Sequence, residues 1–446
     1  MSVKPSITAA MVVTVTAALV AGCAPGTSNK KTKSTDTVNT DVGSKPITLQ
    51  LLTSNEAKDE EQHLAEAFTK KYPNVTVKVK TDSFPNLQQN GPRLIAGANA
   101  PDLILYPTVG NAVKDGLLTD LDPYAKAYGW DKFPQSQLQG WRVAADGKQR
   151  GTGALYALGM GFGMTGVFYN KEIAASLGIA APPSTLDEFT ADMAKAKAAG
   201  KTALMTSGKD GTTDFILQGV MLELGDSNKT ISDWVYNKPG ASIDVPKAVE
   251  AAKILQDWAK AGYFPSDVNA IDQNVALTRF NTGKGLFFYE GNWFVTPVDK
   301  ALGSKAGFFP LPPAKAGGKY AAMSEPNSYV VPAKSKNHGA AAAFLNFAVN
   351  TAEGRAVIVK NVGQPPGGPA DAAPPAVKAG SVLADTLTAF GKIGADDGVV
   401  PFIANATPGI YTNTLIPQCQ LLVAGKISPQ ALVSKLQSDY ASELGR

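Results

Sequence analysis

The chain has 446 residues, 44% hydrophobic and 18% charged, with 42 Lys+Arg, 38 Asp+Glu, two Cys and two His. That length suggests two or three domains, and the apolar content excludes whole-chain disorder, a collagen repeat or a disulfide scaffold. The net charge of +4 falls to +1 for residues 47–446 once Lys4 and the four Lys and two Asp of 23–46 are set aside, so no basic excess marks a nucleic-acid binder.

Residues 1–22 read as an export signal. Lys4 supplies the positive end, and Ile7 to Val20 form an apolar run of fourteen residues. A bilayer needs about 20 apolar residues, so the run is too short to span one and suits a signal-peptide core. Leu19-Val20-Ala21-Gly22-Cys23 resembles the bacterial lipobox, which implies a diacylglycerol on the Cys23 sulfur and Cys23 as the mature N-terminus. Residues 23–46, rich in Thr, Ser, Lys, Gly and Asn, have little to bury and read as a flexible tether. Lys30, Lys31 and Lys33 suit either anionic head groups or a solvated linker. Cys419, in an apolar run with Leu415, Ile416 and Leu421 to Val423, reads as a buried thiol.

From residue 47 the pattern is α/β. Ile47, Leu49 and Leu51 alternate as in a strand, Ala57 to Lys71 reads as a helix stopped by Tyr72-Pro73-Asn74, and Val75, Val77 and Val79 alternate again. Such a unit implies a parallel strand pair with a right-handed crossover. Leu103 to Leu105 reads as a third strand. Ligands of open parallel sheets bind beyond the carboxyl ends of the strands, which makes Ser54, Asn55, Glu56, Ser83, Phe84, Tyr106 and Thr108 candidate site positions. Further helices are expected from the capping box Thr185 to Glu188 as far as Gly200, from Pro246 to Gly262, and from Ser428-Pro429 through Tyr440.

Catalytic motifs are mostly missing. Gly161 to Gly166 spells G-x-G-x-x-G, but Val167-Phe168-Tyr169 favours a strand where a dinucleotide site needs a helix start. There is no nucleophile elbow, P-loop or H-E-x-x-H, and neither His63 nor His338 has a partner at ligand spacing, so no cofactor or metal is expected. Two carboxylates brought together by the fold would still allow a glycoside hydrolase.

The segment from Leu158 to Lys171 is similar to the signature of family 1 extracellular solute-binding proteins, and further markers follow in order. These are Ala100-Pro101-Asp102 with Gly116 to Leu121, Pro182 to Phe189, Tyr289 to Trp293, Phe309 to Pro312, Val330 to Phe347, Gly363 to Pro366 and Leu421 to Ser428. Gly161, Ala174, Leu186 and Glu325-Pro326-Asn327 depart from the usual residues. The resemblance implies an α/β, two-lobed periplasmic-binding-protein-like fold of type II, with interleaved lobes joined by hinge crossovers near Met160–Gly163, Gly307–Phe309 and Gly354. One lobe would be 47–160 plus 310–354, the other 161–309 plus 355–446, with the glycine run 159–166 as a hinge.

It also implies the lipid-anchored extracellular receptor of an ABC importer, a monomer that binds a carbohydrate between its lobes and passes it to the permease unchanged. A sugar offers hydroxyls and apolar C–H faces, met by carboxylates, amides and aromatic plates. On that chemistry Trp293 is the first choice for the plate, beside Glu290 and Asn292, followed by Tyr106 and Phe162. Asn55, Glu56, Phe84, Asp210, Glu325, Asn327 and Gln364 complete the candidate set. The alternatives are a secreted lipoprotein glycoside hydrolase, or the same fold with a polyamine, anion or metal complex as solute.

Overall fold

The computed structural model describes residues 38–369, 371–373 and 375–445; the expected export signal, Cys23 and the tether as far as residue 37 lie outside the described residues. The last part of the expected tether is laid on the body. Val42 is buried in a hydrophobic core, Asn74 Nδ2 donates to the carbonyls of Gly43 (3.0 Å) and Lys45 (3.1 Å), and Tyr128 OH donates to Thr40 O. Backbone carbonyls taken up by distant donors hold a segment whose composition offers one apolar anchor.

The opening strands form where alternation places them. β1 (Ile47–Ser54) pairs in parallel with β2 (Val75–Asp82) over its whole length and with β3 (Leu103–Leu105) on its other side. Helix Lys58–Lys71 packs Leu64 and Phe68 into the core beneath them. A second helix, Phe84–Ala96, starts where a strand end was expected: Ser83 Oγ accepts from Asn86 N and Pro85 fills the first turn, a pairing of cap and proline that favours a helix start. β4 (Arg142–Val143) and β5 (Ala154–Leu155) make a separate two-stranded ribbon.

The chain then runs through β6 (Ala157–Asn170), β7 (Thr202–Met205), β8 (Gly285–Gly291), β9 (Ala306–Phe309), β10 (Ala322–Val330) and β11 (Val399–Val400). The main sheet has the order β2-β1-β3-β10-β6-β8-β7, with β11 on β10 and β9 on β6. β10 runs antiparallel to both β3 and β6, and β6 antiparallel to β8.

The G-x-G-x-x-G run lies inside β6, buried along nearly its whole length, and none of its glycines takes a positive φ. They allow close approach: a Cβ on Gly161 would stand 2.6 Å from Gln364 Oε1 and one on Gly166 2.3 Å from the Phe308 ring, and on Gly159, just before the run, 2.0 Å from Pro326 Cβ.

Two large apolar cores flank this sheet. One draws on residues 42–160 and 329–358, the other on residues 167–323 and 400–440, with a smaller third cluster between Met164 and Val382–Ile393. The packing therefore changes sides within β6, between Met160 and Met164, and again within β10, between Met323 and Tyr329. The second change comes later than the expected crossover at Gly307–Phe309, because Phe309 and Leu311 still pack in the second core. Ile358 still belongs to the first core, so the last change also falls beyond Gly354. Of the later helices, Leu186–Ala198 is capped by Thr185 Oγ1, which accepts from Glu188 N, whereas the Glu188 carboxylate reaches back to Ser184 rather than Thr185. Helices Pro246–Lys260 and Pro429–Glu443 stand where proline starts and glycine stops place them.

Candidate functional site

A cleft of about 930 Å³, partly open to solvent, lies where residues of the two cores face each other. The first core's side contributes the segments after β1 (Ser54, Glu56, Ala57) and β3 (Leu105, Pro107), the start of helix Phe84–Ala96, and Trp141. The second core's side contributes Asp210, Thr212 and Phe215 at the start of helix Thr212–Glu223, then Gln273, Trp293, Phe402, Asn405 and Tyr411. β10, the strand common to both sides, lays Glu325 to Ser328 across the floor, joined by Gln364. Six aromatic rings thus meet side-chain carboxylates and amides in one cavity.

At one end the polar groups are bound to each other. Arg150, from the loop of the β4–β5 ribbon, is 3% exposed and donates from Nη2 to Glu325 Oε1 at 2.8 Å, from Nη1 to Asn405 O and from Nε to Gly140 O. Its guanidinium lies 4.8 Å from the Trp141 ring centre and 5.3 Å from that of Tyr236, a cation–π sandwich. Asn405 Nδ2 donates to Glu325 Oε2 at 2.7 Å, and Gln88 Nε2 donates to Asn405 Oδ1. Burial, with the nearby Glu325 charge adding to it and Arg150 opposing, pushes the Tyr236 phenol up to about 12.

At the other end Gln273, the first residue of helix Gln273–Asn281, joins two carboxylates. Its backbone N–H donates to Asp210 Oδ2 (2.7 Å) and its Nε2 to Glu56 Oε1 (3.0 Å). Ser207 Oγ donates to Asp210 Oδ1, and Tyr411 OH donates to Asp210 O. Burial raises the pKa of Glu56 and of Asp210, and it raises the Tyr411 phenol well above its ordinary value. Trp293 is half-buried, meets Phe215 edge to face at 5.9 Å, and covers Gly291 so closely that a Cβ there would stand 2.1 Å from the ring.

Seven of the twelve candidate sugar-binding residues line this cleft: Glu56, Phe84, Asp210, Trp293, Glu325, Asn327 and Gln364, and so does the strand-end position Ser54. Asn327 Nδ2 donates to Gln364 Oε1 at 2.8 Å, so these two loop amides form one unit. The other five sit elsewhere. Tyr106 is fully buried in the first core against Gly91, and burial pushes its phenol up to about 12. Phe162 packs on Phe390 at 5.2 Å. Asn292 holds β6 to the following turn, accepting from Met164 N and donating to Phe162 O. Glu290 is fully buried, with Oε2 on Gly291 N. Asn55 is exposed, its backbone bonded to Asp82 and Lys58. Glu290 lies in β8, which is buried on both faces, whereas Trp293 lies in the short 3-10 turn Asn292–Phe294 that follows the strand, which is why only Trp293 reaches the cleft. Sequence reasoning missed Trp141, Arg150, Phe215, Gln273, Asn405 and Tyr411. For Gln273 the Asp272 helix cap was a readable local signal, but nothing in the sequence joins Arg150 to Glu325, 175 positions away.

Residues 53–355 match the family model for bacterial extracellular solute-binding proteins. A binding protein of Brucella abortus (strain 2308) is 26% identical over 228 residues, 50% of this chain and 52% of that protein. The galactooligosaccharide-binding protein of Bacillus subtilis (strain 168) is 28% identical over 284 residues, 61% of this chain and 62% of that one. The chain thus spans about half the length of the first of these relatives and somewhat more of the second. Among solved structures, a chitin oligosaccharide binding protein aligns with a TM-score of 0.72 at 19% identity, over 89% of this chain and 99% of that one. At that identity the likeness is one of fold, and the fold is the two-lobed periplasmic-binding-protein type.

Proposed function

The chain belongs to the family of bacterial extracellular solute-binding proteins, and from that premise we propose that it is the receptor of an ABC importer for a carbohydrate. The observation that carries this reading is the cleft itself, where aromatic faces and hydrogen-bonding side chains from both cores converge on one volume. Trp293, Phe215 and Phe402 offer apolar plates for the C–H faces of a sugar ring, while Glu56, Asp210, Asn327 and Gln364 offer acceptors and donors for its hydroxyls. Closure of the two lobes (47–160 with 310–354, and 161–309 with 355–446, with the β10 boundary shifted as described) stabilises the bound state through contacts from both sides, and the permease recognises that state.

Lipidation of Cys23 would hold the monomeric receptor at the outer face of the cytoplasmic membrane. Among the described residues no helix is long and apolar enough to cross a bilayer. A Cys23→Ser variant should leave the membrane fraction for the soluble one.

The test is thermal unfolding of the protein against sugars, oligosaccharides, amino acids, polyamines and anions. A ligand at 100 times its dissociation constant adds about 2.7 kcal/mol. A shift from one sugar class, with the sugar recovered intact, supports the receptor reading. Recovery of cleaved sugar would replace it with the hydrolase, and a response confined to non-sugars would sink the carbohydrate assignment.

A further inference from the structure

The cleft wall carries an imbalance of charge. Its lining includes Glu56, Asp210 and Glu325 and, among the described residues, no Lys, Arg or His. Glu325 is neutralised by Arg150 behind it. Glu56 and Asp210 have no such partner: Gln273, a neutral group, is what joins them. One layer further in lie two more carboxylates. Asp214, beside the lining residues Thr212 and Phe215, is 0% exposed, and neither of its oxygens has a hydrogen-bond partner. Glu290 is likewise 0% exposed, with Oε1 unpartnered.

The charged neighbours acting on these four groups are themselves acidic. Asp210 acts on Glu56 and Asp214, Asp272 acts on Asp210, and Asp210, Glu56 and Asp214 all act on Glu290. Lys209 is exposed and stands 3.8 Å from Asp272. Taking a carboxylate out of water without a counter-charge is costly, and Glu56 and Asp210, on the cleft wall, are the two that a solute can reach. A cation entering the cleft supplies the missing charge. The aromatic rings around it, Trp293, Phe215 and Tyr411 among them, add quadrupole attraction for a positive group.

The choice between a metal ion and an amine follows from the ligand geometry. Gln273 stands between Glu56 and Asp210, and among the described residues no three ligating side chains converge as a metal cage requires. An ammonium group, with three donors and loose angular demands, fits two carboxylates held apart by an amide.

Resting on the carbohydrate-receptor reading above, we propose that the solute is a cationic carbohydrate, a sugar bearing a protonated amine seated against Glu56 and Asp210. The sugar ring lies on the aromatic plates, and the amine donates charge-assisted hydrogen bonds to the two carboxylates. Asp214 and Glu290, whose pKa values burial raises well above the ordinary carboxylate range, stand behind these two without touching the solute.

Calorimetric titration of the protein with matched pairs tests this: D-glucosamine against D-glucose, D-galactosamine against D-galactose, and chitosan against chitin oligosaccharides, with spermidine as an amine lacking a sugar. The amine member of at least one pair should bind about tenfold tighter or more, the scale of a charge-assisted hydrogen bond. Its affinity should fall as salt rises. In the isosteric variants Glu56→Gln and Asp210→Asn the preference should shrink toward parity, with unchanged unfolding in the absence of ligand reporting an intact fold.

A neutral sugar bound as tightly as its amine, or a preference untouched by both variants, overturns the proposal and leaves the carbohydrate receptor standing. Spermidine bound with no sugar bound overturns both, as does silence across the whole set.

Discussion

Two ends of one cleft treat the same kind of side chain in opposite ways. Glu325 meets a buried guanidinium at 2.8 Å and a carboxamide at 2.7 Å, so its charge is answered before any solute arrives. Glu56 and Asp210 meet a neutral glutamine, and burial raises the pKa of each. The difference lies in what is packed behind the carboxylate, not in the carboxylate. The Arg150 end behaves as structure, linking the loop of the ribbon to Tyr236 and Asn405 across the cleft. The Gln273 end keeps interaction energy in reserve for a ligand.

Breaking the paired end should have the largest effect. Arg150→Met leaves Glu325 buried and uncompensated and should cost about 3–5 kcal/mol in urea unfolding, most of it restored in the Arg150→Met/Glu325→Gln double variant. A single-variant cost below about 1 kcal/mol would show that the pair is not what joins the two sides there. At the unpaired end, Trp293→Ala should weaken solute binding by about 2 kcal/mol, or about 30-fold, in calorimetric titration.

Gly291→Ala tests the same ring without removing it. The new Cβ would collide with the indole, and the shift should lower affinity and cost about 1–2 kcal/mol of stability. An unaffected affinity would mean that the position of Trp293 does not matter to binding.

A carboxylate away from the cleft gives a contrast that appears only as the pH is raised. Glu61 is buried in the first core, accepts from Tyr329 OH, and has its pKa pushed by burial from 4.5 to about 8. A raised native pKa means the folded state holds a proton that the unfolded state releases. Its contribution is therefore fully present below about pH 4.5 and lost as pH rises through about 8. Glu61→Gln should flatten that decline, adding about 4 kcal/mol at pH 8.5 and almost nothing at pH 4.5 in chemical denaturation. A parallel decline in both proteins would assign the pH dependence to the cleft carboxylates instead.

Much of the fold could be read from local pattern. Alternation in Ile47–Leu51 and Val75–Val79, the helix start at Thr185 and the prolines at 246 and 429 each act within a few residues, and each stands in the structure where chemistry puts it. The site was legible only in part, and the reason is again physical. Trp293 announced itself by residue type, whereas Arg150, Gln273 and Asn405 acquire meaning only from partners far away in sequence. Tyr106, Phe162 and Asn292 look like sugar-binding groups but are taken up by the core and the β6 ladder. The glycines of 159–166 carry two demands that sequence does not separate, because a strand that must touch Pro326 and a hinge that must bend call for the same residue.

The interleaving of the two cores also sets an order of assembly. The first core is completed by residues 329–358, and β3 and β6 have no common partner until β10 exists. A ribosome that has delivered residue 160 has made most of that core's side chains but not the strand that ties them together. The growing chain waits about 160 further residues for that strand, and each core draws on two separated stretches of sequence. Late closure of this kind keeps the first core's sheet open at β3 and β6 until β10 is made, the state in which a chain can still be threaded.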